Sequence, residues 1–257
     1  MKTACLTSCH HFFKLPFPKK SFFNALLFAL TSSLSTFAIA TQINVTPLSI
    51  DFTPQGDKFS DISVMNVSQD MAYVQVDISR IDNPGMPNQK VIALTNDPQS
   101  FGLVASPTKL AIPPQQLRRV RLLPLIHNNT QDVFYQVKIT PVSGELESIL
   151  SPQKAIQAGV QIIVGYETKV FIRPPQAQAV ISINRIGNEV TIKNTGNSNV
   201  LLYAGQQCDA AHKACTPLPN PAHRLFAGNT WQFTLINPAP VEFTEKFLDK
   251  TQILKSN

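Results

Sequence analysis

The sequence predicts an all-β protein made of two sandwich-type domains, and three observations carry that prediction. After Thr41 no long helical period occurs; the chain runs in short stretches of apolar–polar alternation. These stretches are regularly spaced and separated by clusters of Pro, Gly, Asn and Asp, the pattern of β-sandwiches. Arg173-Pro174-Pro175 then interrupts the pattern, because proline has no N–H to give and restricts the residue before it. We place the domain boundary there, giving domains at 41–174 and 175–257.

The first 40 residues read differently. Lys14, Lys19 and Lys20 precede an uncharged, largely apolar or small run, Phe22 to Ala40, which ends in the small-x-small triplet Ala38-Ile39-Ala40. That is the form of a secretory signal peptide, and Thr31, Ser32, Ser33, Ser35 and Thr36 break the run too often for a membrane anchor. The 257-residue chain has 22 basic and 16 acidic residues. Lys2, Lys14, Lys19 and Lys20 leave with the leader and no acid does, so 18 basic residues face 16 acidic ones, net +2. A balance so near neutral gives no support to nucleic-acid binding. Export also decides how the cysteines are read. Cys5 and Cys9 lie in the leader, and Cys208 and Cys215 remain, expected as a disulfide closing a small loop. His212 between them makes C-x3-H-x2-C, but a structural metal site needs a fourth ligand that the sequence does not offer.

Ile43 to Val45 and Leu48 to Phe52 open the first domain, and Asp61 to Asn66 alternates cleanly. Ala72 to Arg80 sets Val74, Val76 and Ile78 on one face. Asn83 to Asn88 is a turn, since Pro fixes φ and Gly85 supplies a positive one. Strands follow at Leu103-Val104, Lys109 to Ile112, Leu117 to Leu123 and Val133 to Ile139. Arg119 and Arg121 alternate onto one side of their strand and Arg118 onto the other, so the three make no single basic patch. Pro141 to Ala158 is a long unpatterned connection, and such loops are usually functional or mobile. Next comes Val160 to Pro174, in which Val160, Ile162 and Val164 share one face ahead of Lys169 and Arg173. In the second domain, strands are expected at Val180 to Asn184, Glu189 to Asn194, Val200 to Tyr203, Trp231 to Ile236 and Val241 to Phe243.

No nucleophile–base constellation, H-E-x-x-H or glycine-rich phosphate loop occurs, and His127, His212 and His223 are scattered, so an enzyme is not expected. Asn44-Val45-Thr46, Asn66-Val67-Ser68 and Asn128-Asn129-Thr130 fit a glycosylation acceptor, relevant only in a eukaryotic host.

Several runs, in order, resemble the periplasmic chaperones of the chaperone–usher pilus pathway. Gly102 to Pro107, Leu110 to Gln115 and Val120-Arg121-Leu122 resemble the family's run from S-P through L-x-L-P to V-R-L. Val133 to Val137 resembles its next strand, and Val160 to Pro174 its donor strand with the closing R-P. Ile192 to Asn197 with Cys208 and Cys215 is most similar to the alternative, or common-pilus, subgroup. The resemblance implies two immunoglobulin-like sandwiches in an L-shaped arrangement with a cleft between them.

It also implies a mechanism. A pilus subunit lacks one strand of its sandwich, and the chaperone lends its own, with backbone hydrogen bonds for affinity and alternate side chains for fit. Val160, Ile162 and Val164 would be those side chains, each contributing about 1.5–3 kcal/mol gross on burial. Lys169 matches the lysine that anchors the subunit's terminal carboxylate. The family's arginine on the first strand is replaced by Ser49, which leaves Arg119 and Arg173 as candidates for the second anchor. Arg121 matches an arginine used in an interdomain salt bridge, with Asp132 as its partner. The partners implied are pilus subunits and an outer-membrane usher, with no nucleic acid, cofactor or metal; self-association of the free protein is left open. The alternative is a secreted, adhesive or pilin-like protein of immunoglobulin-like domains.

Overall fold

Four β-sheets account for nearly all the regular structure, a computed structural model describing residues 42–94, 97–142, 163–211 and 213–256. The expected signal peptide and the donor residues Val160 and Ile162 lie outside the described residues, as does His212.

Ten strands build the first two sheets. They are β1 (Ile43–Thr46), β2 (Ser49–Phe52), β3 (Ser60–Asn66), β4 (Ala72–Asp82), β5 (Lys90–Ala93), β6 (Leu103–Ser106), β7 (Lys109–Ile112), β8 (Leu117–Pro124), β9 (Val133–Val142) and β10 (Tyr166–Ile172). One sheet runs β1-β3-β8-β6, the other β2-β10-β9-β4-β5 with β7 also on β4. The alternation read from the sequence is what closes them. Val74, Val76 and Ile78 of β4 turn inward to meet Ile62 and Val64 of β3 and Val120 and Leu122 of β8 in one core. The chain passes from the first sheet to the second between β1 and β2, across the cis Thr46–Pro47 bond. As a result β2 lies parallel to β10, while every other pairing among the described residues is antiparallel.

Eight strands build the other two sheets. They are β11 (Ile181–Ile186), β12 (Glu189–Asn194), β13 (Val200–Cys208), β14 (Cys215–Pro217), β15 (His223–Leu225), β16 (Thr230–Thr234), β17 (Val241–Phe247) and β18 (Lys250–Lys255). Val190, Ile192, Leu202, Leu225 and Phe243 are their core. Cys208 lies directly opposite Cys215 in the β13–β14 ladder, 4.0 Å apart at Cα, and the two form the expected disulfide. Their sulfurs are bonded to each other and so are not metal-ligating thiolates.

Each sandwich keeps a fully buried asparagine at the end of an inner strand. Asn66 donates to the carbonyls of Asp70 and Ile112 and accepts from Ser68. Asn194 donates to the carbonyls of Ser198 and Leu225 and accepts from Gly196 and Val180. A buried amide needs all such partners, so Asn66, one of the glycosylation triplets, is committed to the interior.

Several expectations for the strands need correction, among them β9, which runs on to Val142, and the unannounced β14 and β15. β17 extends to Phe247 and is followed by a further strand, β18, which the alternation does not announce. Nor does it announce β5, which is short and mostly exposed. The strand beginning near Val160 starts, among the described residues, only at Tyr166; Val164 is outside it and 58% exposed.

Candidate functional site

The outer face of the second sheet, where it meets the other sandwich, concentrates the features that set this chain apart from a bare scaffold. β10 is hydrogen-bonded to β9 along its whole length, from Tyr166 opposite Ile139 to Ile172 opposite Val133. On its other side it has a partner for only part of that length. β2 covers Lys169 to Ile172 and stops. Lys169 donates its backbone N–H to Leu48 and Arg173 to Phe52, so N–H groups of odd-numbered residues point toward the β2 side. By the same alternation the backbone groups of Glu167 point to that side, where the described residues supply no strand. An open edge with unpaired donors and acceptors is a template for another strand.

Side chains of β10 alternate as well. Thr168, Val170 and Ile172 are buried inward. Lys169 and Phe171 project from the opposite face. Lys169 is exposed, sits opposite Ser49 on β2 and Gln136 on β9, and takes no ion pair among the described residues. Phe171 is fully buried, because the second sandwich covers it. It stacks on Phe134 with centroids 4.9 Å apart, Phe226 leans on both rings, and Ile81 completes the cluster.

Beyond Phe171, Arg173 sits only 4% exposed at the centre of the junction. It bonds Asp51 through Nε at 2.7 Å and Asp132 through Nη1 at 2.9 Å, and donates to the Asn199 carbonyl at 2.8 Å. Asp132 in turn accepts from the Ser198 hydroxyl and from the backbone and side-chain N–H groups of Asn199. Arg224, from β15, enters from the far side. Its guanidinium carbon lies 4.6 Å from the centre of the Phe171 ring, and it donates to the Asn199 side-chain oxygen. Burial pushes the Arg224 guanidinium toward its neutral form, and the negative charge of Asp51 works against this.

These positions correct three residue assignments. Asp132 does bridge the sandwiches, but with Arg173; Arg121 pairs instead with Asp61 on β3, at 2.8 and 3.0 Å. Arg121 and Arg119 project from β8 in the other sheet, as strand alternation requires, so Arg119 is on the opposite side of the sandwich from Lys169. Arg173 is saturated by two carboxylates and cannot serve as a free anchor for a third. Sequence reading missed Arg224 and Phe226 altogether. They sit in a short H-R-L-F stretch with no period, and only the folding back of β15 brings them to the junction.

The fold is that of the two-sandwich chaperones of fimbrial assembly. No protein-family model matches the chain. In sequence it is similar to a CS1 fimbrial protein of Escherichia coli, 26% identical over 140 residues, which span 54% of this chain and 58% of that protein's length. In structure it is similar to the class 5 fimbriae chaperone CfaA, with a TM-score of 0.60, 17% identity and coverage of 84% of this chain and 98% of that one. It is also similar to the chaperone DraB of Escherichia coli (TM-score 0.59, 12% identity, 86% of this chain and 98% of that one). A chain from the complex of Salmonella enterica SafA pilin with the SafB chaperone gives 0.58 at 11% identity, covering 84% and 96%.

Proposed function

We propose that this protein is a periplasmic chaperone that captures pilus subunits by lending them a strand and delivers them to an outer-membrane usher. Residues 1–40 would direct export and be removed, leaving a chaperone domain at 41–174 and a second sandwich at 175–257. Val160, Ile162 and Val164, on the segment leading into β10, would fill the subunit's exposed core. Lys169 would hold its terminal carboxylate through a charge-assisted hydrogen bond. The observation that carries this reading is the open edge of β10 ahead of Lys169, beside a strand otherwise fully paired. Main-chain addition at such an edge shields the guest's own unpaired edge from aggregation. The same edge, unoccupied, is where two free copies would meet.

Co-expression with candidate fimbrial subunits, then affinity capture from the periplasm and mass spectrometry, tests it. A pilin should be retained by the wild-type chain, and much less by Ile162→Asp or Lys169→Ala at unchanged unfolding midpoint. Retention of no pilin by the wild type would favour the adhesive alternative. If Ile162→Asp instead lost stability in step with capture, that residue would belong to the chaperone's own core.

A further inference from the structure

The disulfide of the second sandwich has a carboxylate beside it. The Glu242 carboxylate, from β17, and the sulfurs of Cys208 and Cys215 all lie within 4.8 Å of one another. Strand register puts it there. Gln206, two residues before Cys208 on the same face of β13, lies opposite Glu242, and Lys255 of β18 lies opposite Glu242 on its other side. Glu242 is 7% exposed. Lys255 bonds its carboxylate through Nζ at 2.8 Å, and Gln206 donates its side-chain amide at 3.2 Å. Lys255 thus supplies the positive charge that a buried carboxylate needs.

The two sulfurs are not equally open to attack. Cys208 is buried, whereas Cys215 is half-buried on the short strand β14. Reduction by a dithiol begins when one of its thiolates attacks a sulfur of the disulfide. The reachable sulfur is that of Cys215. A bond forms from the dithiol to Cys215 Sγ, the bond between the two cysteines breaks, and its electron pair leaves on Cys208 Sγ as a thiolate. The dithiol's second thiolate then displaces Cys215 and closes a disulfide of its own. Two electrons pass from dithiol to protein, and each cysteine takes up a proton. The first of these steps places a negative charge on Cys208, which is buried and within 4.8 Å of the Glu242 carboxylate. Burial and a neighbouring negative charge both disfavour a thiolate.

We propose that Glu242 guards the Cys208–Cys215 disulfide against thiol exchange, by opposing the charge that must appear on Cys208 as the bond breaks. The effect is on rate, because a poorer leaving thiolate departs more slowly. Lys255 moderates it, since its ammonium offsets part of the carboxylate's field. The guard keeps β14 fastened to β13 and does not depend on what the chain binds.

The test uses residues 41–257, in which Cys208 and Cys215 are the only cysteines. The oxidised protein is exposed to dithiothreitol in mildly alkaline buffer, samples are alkylated at intervals, and the reduced fraction is read by mass spectrometry. Glu242→Gln, close in shape, should be reduced about tenfold faster than the wild type, the scale of one unit charge at that distance in a partly buried site. Lys255→Met removes the offsetting ammonium and should be reduced about threefold more slowly. A merely structural role for the pair predicts the opposite for Lys255→Met, because loosened strands open the bond to attack. In concentrated guanidinium, where Glu242 no longer sits beside the sulfurs, all three proteins should react alike. Equal rates for the folded wild type and Glu242→Gln would overturn the proposal. So would an unchanged or faster rate in Lys255→Met, or a difference that persists in guanidinium. Lys255 is half-exposed, so Lys255→Met carries the test alone if Glu242→Gln does not fold.

Discussion

Arg173 shows how a buried charge is tolerated. Its guanidinium has two carboxylates, a carbonyl and a hydroxyl around it, and Asp132 is as fully bonded on its own side. Removing one partner from such a pair leaves the other buried and uncompensated, which costs about 3–5 kcal/mol. Arg173→Met should therefore lower stability by about that much in urea unfolding, and adding Asp132→Asn should return a large part of it. A second residue-level expectation concerns His223, which stacks on Trp231 with centroids 4.5 Å apart. Burial holds the His223 imidazole below its ordinary value, so its neutral form belongs to the folded state. Its contribution to stability is present above the unfolded value near 6.5 and is lost as pH falls through the lower, folded one. Because Trp231 is the single tryptophan, its fluorescence should change as pH is lowered through that window, and His223→Phe should abolish the change. The sequence marks Arg173 as the end of a strand but does not reveal its partners. Asp132 is 41 residues away and Asn199 26, and no period connects them.

At the scale of elements, β10 carries one ladder complete and one half made. Glu167 tests the open half. Its N–H points to the unpaired side, so Glu167→Pro should spare the β9 ladder while removing a donor from the open edge. Pilin capture should weaken by about tenfold, the scale of one hydrogen bond lost from a desolvated interface, with little change in the thermal midpoint. If capture is unaffected, the guest does not pair at that edge. Alternation made β4, β7 and β12 readable because each buries one face. β18 was not readable for the converse reason. Its side chains are almost all exposed, and its place is set by backbone bonds to β17 from Glu242 to Phe247. A strand held by its neighbour's backbone leaves little hydrophobic signal.

Over the whole molecule, the relation between the sandwiches is set by a few side chains. Phe226 enters the Phe134–Phe171 cluster from one sandwich. Asn229 donates to the Pro84 carbonyl at the tip of the β4–β5 hairpin, at 2.9 Å. There Gly85 has φ of 72°, the positive value expected of that turn, and a Cβ on it would collide with the Asn229 amide. Phe226→Ala should cost about 2 kcal/mol of burial and broaden the spread of domain orientations seen by small-angle scattering, with both sandwiches still folded. The sequence alone determined the all-β class, the turn at Gly85, the disulfide and the strand that ends in Arg173-Pro174, because these depend on local period, turn chemistry and short spacing. Only the tertiary structure decided that Arg173 is committed to Asp51 and Asp132, that Arg121 belongs to Asp61, and that Arg224 reaches the face carrying Lys169. Burial and charge compensation are settled between residues that are far apart in the chain, and they exist only once the sheets have closed.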